Sequence, residues 1–285
     1  MSWSAYRFVL RLRSPLHVGH LAVGNLQRTR HYVPGKTLWG ALVARLTRDF
    51  PDSNGDYQAM GECVNRELAF SYFYPALDPD QPLYPAYTTK GLHYGPNEMP
   101  PDEFAWHLLA SYASTAVDAR RTAATEGSLH ETEFINPHTR ETGEPVYLVG
   151  YVFEQEGTDR LPWREVLDRL QLGGERRYGW GRVSLEGESR QAEDLFGYAL
   201  DLAGERPVVT VKSGQPLLTH TVTEGIPARG QIEPLVGRET RAEGKFGEFF
   251  RPQVEICWMP GSRLEEGRQL VIGKYGVWSV KELNT

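Results

Sequence analysis

The chain has 285 residues, 40% hydrophobic, 11% aromatic and 24% charged, a globular composition that excludes a disordered tail or a collagen-like repeat. No run approaches the roughly 18 apolar residues of a bilayer span, and the first residues lack the apolar core of a signal peptide. Cys63 and Cys257 stand far apart, so neither a zinc site nor a disulfide framework can be read. The expectation is a soluble, reduced, cytoplasmic protein of about two domains, with no membrane association, metal or cofactor.

The net charge of −6 is unevenly spread. Residues 1–50 hold eight basic side chains against the single acid Asp49, or +7, which leaves −13 for the remainder. His17, His20 and His31 lie in the same segment. Such asymmetry fits a face for a polyanion, and equally a solvated basic face that balances the acidic remainder.

In chain order, Tyr6, Phe8, Leu10 and Leu12 alternate with Arg7, Arg11 and Arg13, which predicts a strand over 5–13 ended by Pro15. A polar loop runs to Pro34-Gly35, and Leu38, Leu42 and Leu46 then recur at helical spacing up to Phe50-Pro51. Cys63 to Tyr74 reads as a helix passing into an aromatic strand. Seven prolines in 75–101 predict a surface insertion without regular structure. Phe104 to Tyr112 reads as a short helix, and Ser114 to Asn136 as a polar stretch without apolar period. Pro145 to Phe153 reads as a buried strand, Leu161 to Leu172 as a helix, and Arg182 to Leu185 as a strand. Beyond residue 190, Val208–Val211, Pro216–Val222, Val254–Met259 and Gln269–Val280 read as strands around a charged, glycine-rich loop at 224–252, which includes Gly244 to Arg251.

The expected fold is therefore α+β. A ferredoxin-like (RRM-like) domain spans 1–189 with a Pro-rich insertion at about 51–110. A β-rich second domain spans 190–285, either a degenerate copy of the first or a sheet packed against it.

Several catalytic motifs fail. Gly35-Lys36-Thr37 lacks the upstream glycine of a phosphate-binding P-loop, since position 30 is Arg. Gly179-Trp180-Gly181 lacks the third glycine of a dinucleotide fingerprint, and Phe134 stands where a zincin would need its second histidine.

Two segments remain. Pro34-Gly35-Lys36 at a helix start, near His17, His20 and Arg30, offers backbone N–H groups and positive charge to a phosphate. A plain strand–loop–helix connection would use the same residues. The run Gly173, Gly174, Arg176, Arg177, Tyr178, Gly179, Trp180, Gly181 and Arg182 combines bare backbone, charge and stacking faces, as single-stranded RNA requires. A helix C-cap and β-bulge with Trp180 buried would also account for it.

Together, Leu16–Gly19, Pro34–Gly40 and Gly173–Arg182 resemble the RAMP superfamily of CRISPR-associated proteins. Within that superfamily, Ser114 to Leu129 resembles the arginine-containing segment of subunits that cap the crRNA 5′ tag in type III effector complexes, although Leu129-His130 replaces the usual hydrophobic pair. The resemblance implies a ferredoxin-like fold and a non-catalytic crRNA-binding role in antiviral defence. It also implies docking against the large signalling subunit and the backbone subunits, with target RNA met indirectly. By this analogy Arg120 and Arg121 grip the tag beside the glycine-rich loop. Two alternatives are enzymes of the same superfamily. One is a metal-independent precursor-RNA endoribonuclease using His20 or His17 as general acid/base; the other is a target-RNA-cleaving backbone subunit using Asp118. A small-molecule or protein-only module would leave the basic segment unexplained.

Overall fold

The computed structural model describes residues 2–50, 55–157, 161–236, 238–239, 249–250 and 255–280. The first half contains, in order, β1 (Trp3–Leu12), β2 (Gly19–Val23), β3 (Leu26–Thr29), α1 (Gly35–Asp49), α2 (Tyr57–Glu67), β4 (Leu68–Phe70) and β5 (Tyr74–Ala76). There follow β6 (Pro85–Thr88), β7 (Gly91–Tyr94), α3 (Pro101–Leu108), β8 (Leu109–Ser114), β9 (Val117–Asp118) and β10 (Ala123–Ala124). Then come β11 (His130–Ile135), β12 (Tyr147–Gln155), a 3-10 helix at Trp163–Arg169, β13 (Val183–Leu185) and β14 (Arg190–Ala192).

The central sheet has the order β13-β1-β12-β4, with every neighbouring pair antiparallel. Helices in the β1-to-β4 crossover and a 3-10 helix between β12 and β13 complete the strand–helix–strand–strand–helix–strand order of a ferredoxin-like unit. The alternation read in β1 places Phe8, Leu10 and Leu12 in a core with Leu38, Leu42 and Leu46 of α1 and Trp163, Val166 and Leu167 of the 3-10 helix. The segment 161–172 is thus not an α-helix. Pro162 stands at the N-cap of a seven-residue 3-10 helix that buries Trp163, Val166 and Leu167 and stops at Leu170, whose backbone is extended (φ −72°, ψ 148°).

The opposite face of the sheet is also covered. Trp3 and Ala5 of β1, with Tyr151 and Phe153 of β12, pack against Val209, Val211, Leu270, Ile272 and Trp278. These come from an eight-stranded sheet built from residues 194–280 in the order Asp194–Leu195, Tyr198–Asp201, Val208–Val211, Arg268–Ile272, Trp278–Val280, Thr221–Val222, Glu255–Trp258 and Ile232–Leu235. Among the described residues no α-helix follows Leu108. The second half is thus a sheet laid on the first, and β14 crosses the expected boundary to pair with β1.

The Pro-rich segment is more regular than its composition predicts. Pro85 opens β6, where a missing N–H costs little, and β6 pairs with β7. Pro101 occupies the first position of α3, which tolerates proline for the same reason. Leu83 and Tyr94 are buried, and the Tyr87 N–H donates to the Gly261 carbonyl at 2.9 Å, fixing the insertion to the second half. The loop expected after Pro15 is instead the hairpin β2–β3. The polar stretch after Ser114 forms a hairpin, β9–β10, and β11. β2, β3 and β11 join β8 in a second sheet of order β2-β3-β11-β8, and β9–β10 pair with each other alone. Most of the glycine-rich segment Gly244 to Arg251 lies outside the described residues.

Candidate nucleic-acid interface

Helix α1 starts at Pro34, whose extended backbone (φ −61°, ψ 149°) caps it. Gly35 is buried there against the Tyr275 carbonyl, with which any side chain at this position would collide. The Lys36 ammonium lies 5.2 Å over the Tyr275 ring, a cation–π contact that leaves it at the mouth of a groove.

The other wall of that groove is the glycine-rich loop. Gly173 has φ +73°, and a Cβ there would run into the His17 carbonyl oxygen, so only glycine brings the loop this close. The loop is held by its own amides: Gly174 N–H donates to His17 O (2.8 Å), Gly181 N–H to Pro15 O (2.7 Å) and Arg182 N–H to Ser14 Oγ (2.9 Å). Gly179 N–H donates to Arg176 O at 3.1 Å. These peptide groups are committed within the protein, so charge for an anion comes from side chains. Gln171, which the sequence reading did not single out, fastens the loop from within; its Nε2 donates to Arg176 O (2.9 Å) and Trp180 O (2.8 Å).

The result is a groove of about 440 Å³ between the start of α1 and the loop. Arg30, Lys36, Gly173, Gly174 and Arg176 line it, with Tyr57 and Leu235. Two separate segments of the sequence therefore meet at one concavity. Arg177 and Tyr178 project from the 3-10 turn Arg176–Tyr178, and the Tyr178 side chain is 81% exposed. Trp180 instead sets its ring edge-on to Phe134 at 4.9 Å and serves packing more than display. Arg182 is exposed beside Ser14.

The histidines have structural partners. His17 Nδ1 lies 2.7 Å from Glu133 O. His31 stacks on Phe104 (4.9 Å) and its Nδ1 bonds the Tyr94 hydroxyl (2.7 Å); burial pushes its pKa down to about 4. His20 Nε2 approaches Glu233 Oε2 at 3.5 Å. The same carboxylate accepts from Arg30 Nη1 (2.7 Å) and bonds His220, whose Nδ1 meets the Tyr72 hydroxyl at 2.6 Å. Burial opposes ionisation of Glu233. The hydrogen bonds from His20, His220 and Arg30 together outweigh it and hold the carboxyl far below its ordinary range. Arg30, read from sequence as an RNA contact, is thus largely neutralised by Glu233. Nothing in the sequence marks Glu233 or His220, which reach Arg30 only through sheet packing.

Arg120 and Arg121 do not line the groove. They sit at the tip of the β9–β10 hairpin, where Asp118 Oδ1 accepts from the Arg120 N–H at 2.9 Å and Asp118 Oδ2 lies 3.7 Å from Arg121 Nε. Asp118 shapes this turn, and the hairpin is otherwise solvent-exposed. Among the described residues no group of histidine, cysteine and carboxylate side chains has the geometry of a metal site, and no helix is long and apolar enough to cross a membrane.

A ferredoxin-like strand order, a glycine-rich loop after the second crossover and a Pro-Gly-Lys helix start are joined by a direct match in sequence. Residues 9–184 fit the model of the RAMP superfamily, more than half of the chain. The protein belongs to the RAMP superfamily. Its fold is similar to a chain in the structure of the Type III-B Cmr-beta bound to cognate target RNA and AMPPnP, with TM-score 0.58, 12% identity, and coverage of 90% of this chain and 85% of that one. A second structure, of Cmr-beta bound to cognate target RNA, gives TM-score 0.55 at 12% identity, covering 90% and 86%. At this identity the likeness speaks for the fold. No curated protein matches the chain.

Proposed function

We propose that this protein is a non-catalytic, crRNA-binding subunit of a type III CRISPR effector complex, and that it holds the 5′ tag of the crRNA. The observation that carries the reading is the groove lined by Lys36 from the start of α1 and by Arg176 from the glycine-rich loop. It is concave and cationic, and Tyr178 stands exposed nearby as a stacking face. Family membership and the shared fold with chains of RNA-bound Cmr-beta support the assignment to such a complex. The β9–β10 hairpin, with Arg120, Arg121 and the exposed Val117, and the exposed Leu129 just before β11 suit contact with the tag or with a neighbouring subunit.

The non-catalytic reading is favoured over an endoribonuclease because His17, His20 and His31 are each engaged in internal contacts. Asp118 likewise closes its own turn. The test is incubation of the purified protein with labelled repeat RNA in EDTA. Tight binding without cleavage supports the proposal; cleavage that a His20→Ala variant loses overturns it.

A further inference from the structure

A second cavity, of about 530 Å³, opens beside the groove and shares Arg176, Gln171 and Tyr57 with it. Its far side is formed by Thr47 and Arg48 of α1 and by Arg177. The two concavities are therefore neighbours along one helix. Thr37, Gly40 and Ala41 line the first, Ala44, Thr47 and Arg48 the second, all at the three- and four-residue spacing of a single helical face. From Lys36 to Arg48 this face runs about 18 Å, at about 1.5 Å per residue.

The charges at the far end are arranged unequally. Asp49, the nearby acid, is held by Arg45 Nε and Arg169 Nη1, each at 2.8 Å. Arg48, Arg176 and Arg177 are exposed, and their guanidinium groups have no acidic partner among the described residues. Three like charges around one concavity repel one another, and an anion placed between them relieves that repulsion.

The geometry points to a second phosphate-binding position at the C-terminal end of α1, built by Arg48, Arg176 and Arg177, so that an unpaired RNA strand lies along the helix from Lys36 to Arg48. The inference rests on the reading of the groove as an RNA site and extends it to a path. At about 3.4 Å per stacked nucleotide, an 18 Å path accommodates about five nucleotides, and fewer if the strand is extended. Arg176, common to both cavities, is the hinge between the two positions.

A simpler role for Arg48 is stabilisation of the helix C-terminus through the helix dipole. The experiment separates the two. Binding of an unpaired oligoribonucleotide is measured against salt for the full chain and for Arg48→Ala and Arg48→Lys. Loss of one phosphate contact lowers the slope of log affinity against log salt by about 0.7. That fall is expected for Arg48→Ala with a longer oligonucleotide, with no change for a dinucleotide, and Arg48→Lys restores the slope. If Arg48→Ala leaves the slope unchanged at every length while Lys36→Ala lowers it, the path is wrong and the groove reading stands. If the full chain binds no RNA, both fail. A fall in melting temperature for Arg48→Ala with unchanged slope assigns the residue to the helix end and overturns the inference.

Discussion

The backbone N–H of Gly174 donates to the carbonyl oxygen of His17 at 2.8 Å, tying the loop that follows the second crossover to the loop that follows the first strand. The preceding residue sets how close that approach is. Gly173→Ala meets both a positive φ and the His17 carbonyl, whereas Gly179→Ala (φ +83°) meets open space and only the backbone cost of about 1–2 kcal/mol. Gly173→Ala is expected to lower the melting temperature more than Gly179→Ala and to weaken RNA binding with it. Thermal unfolding of the two variants side by side checks this.

Lys36→Ala and Arg176→Ala each remove one cation from the groove. Each is expected to weaken binding of unpaired RNA irrespective of sequence and to lower the salt slope by about 0.7, since phosphate contacts position a strand without reading it. A titration across salt concentrations measures both numbers. An effect confined to one RNA sequence would contradict a phosphate role.

The aromatic residues of the loop divide by exposure. Tyr178→Ala is expected to cost about 1–3 kcal/mol of RNA affinity with little change in stability, as for a ring that meets a base. Trp180→Ala removes the edge-on contact with Phe134 and is expected to lower stability instead. Binding and melting curves for both variants give the comparison.

His31 is kept neutral by burial, with its pKa lowered from 6.5 to about 4. The unfolded chain therefore binds more protons than the folded one between those values. Stability should rise with pH across that window, and should be lost as the pH falls from 6.5 toward 4. His31→Gln, which keeps a polar group near Tyr94 but does not titrate, is expected to flatten the dependence. Denaturant unfolding at several pH values is the measurement.

The hairpin arginines bear on the tag assignment. Arg120→Ala with Arg121→Ala should weaken RNA binding at all sequences without lowering the melting temperature, because both side chains are exposed at a turn tip. Normal RNA binding by the double variant would remove them from the tag site.

Much of the central sheet is legible because its residues report their own environment. Phe8, Leu10 and Leu12 alternate with arginines, and α1 repeats leucine every four residues. The hairpins at 85–94 and 117–124 are not, because their strands are short and their stability lies in partners such as Gly261 that local pattern cannot reveal. The meeting of Lys36 with the glycine-rich loop follows from family-like segments read together, but its geometry does not. Of the loop amides read as bare backbone, those of Gly174 and Gly181 turn out to be bonded to His17 and Pro15. Glu233 illustrates the deeper limit. A single glutamate in a charged stretch governs Arg30, His20 and His220 only because a strand from the second half lies over the first.

The collision that keeps residue 35 a glycine has a temporal side. Helix α1 is seated by the turn at Tyr275, and Trp3, Tyr151 and Phe153 are roofed by strands that include Arg268–Ile272 and Trp278. A polypeptide emerging from the ribosome thus exposes an unroofed sheet until those downstream strands are made. The binding cleft cannot mature in the order it was written, and a prematurely terminated product would be an aggregation hazard before it was a ligand for anything.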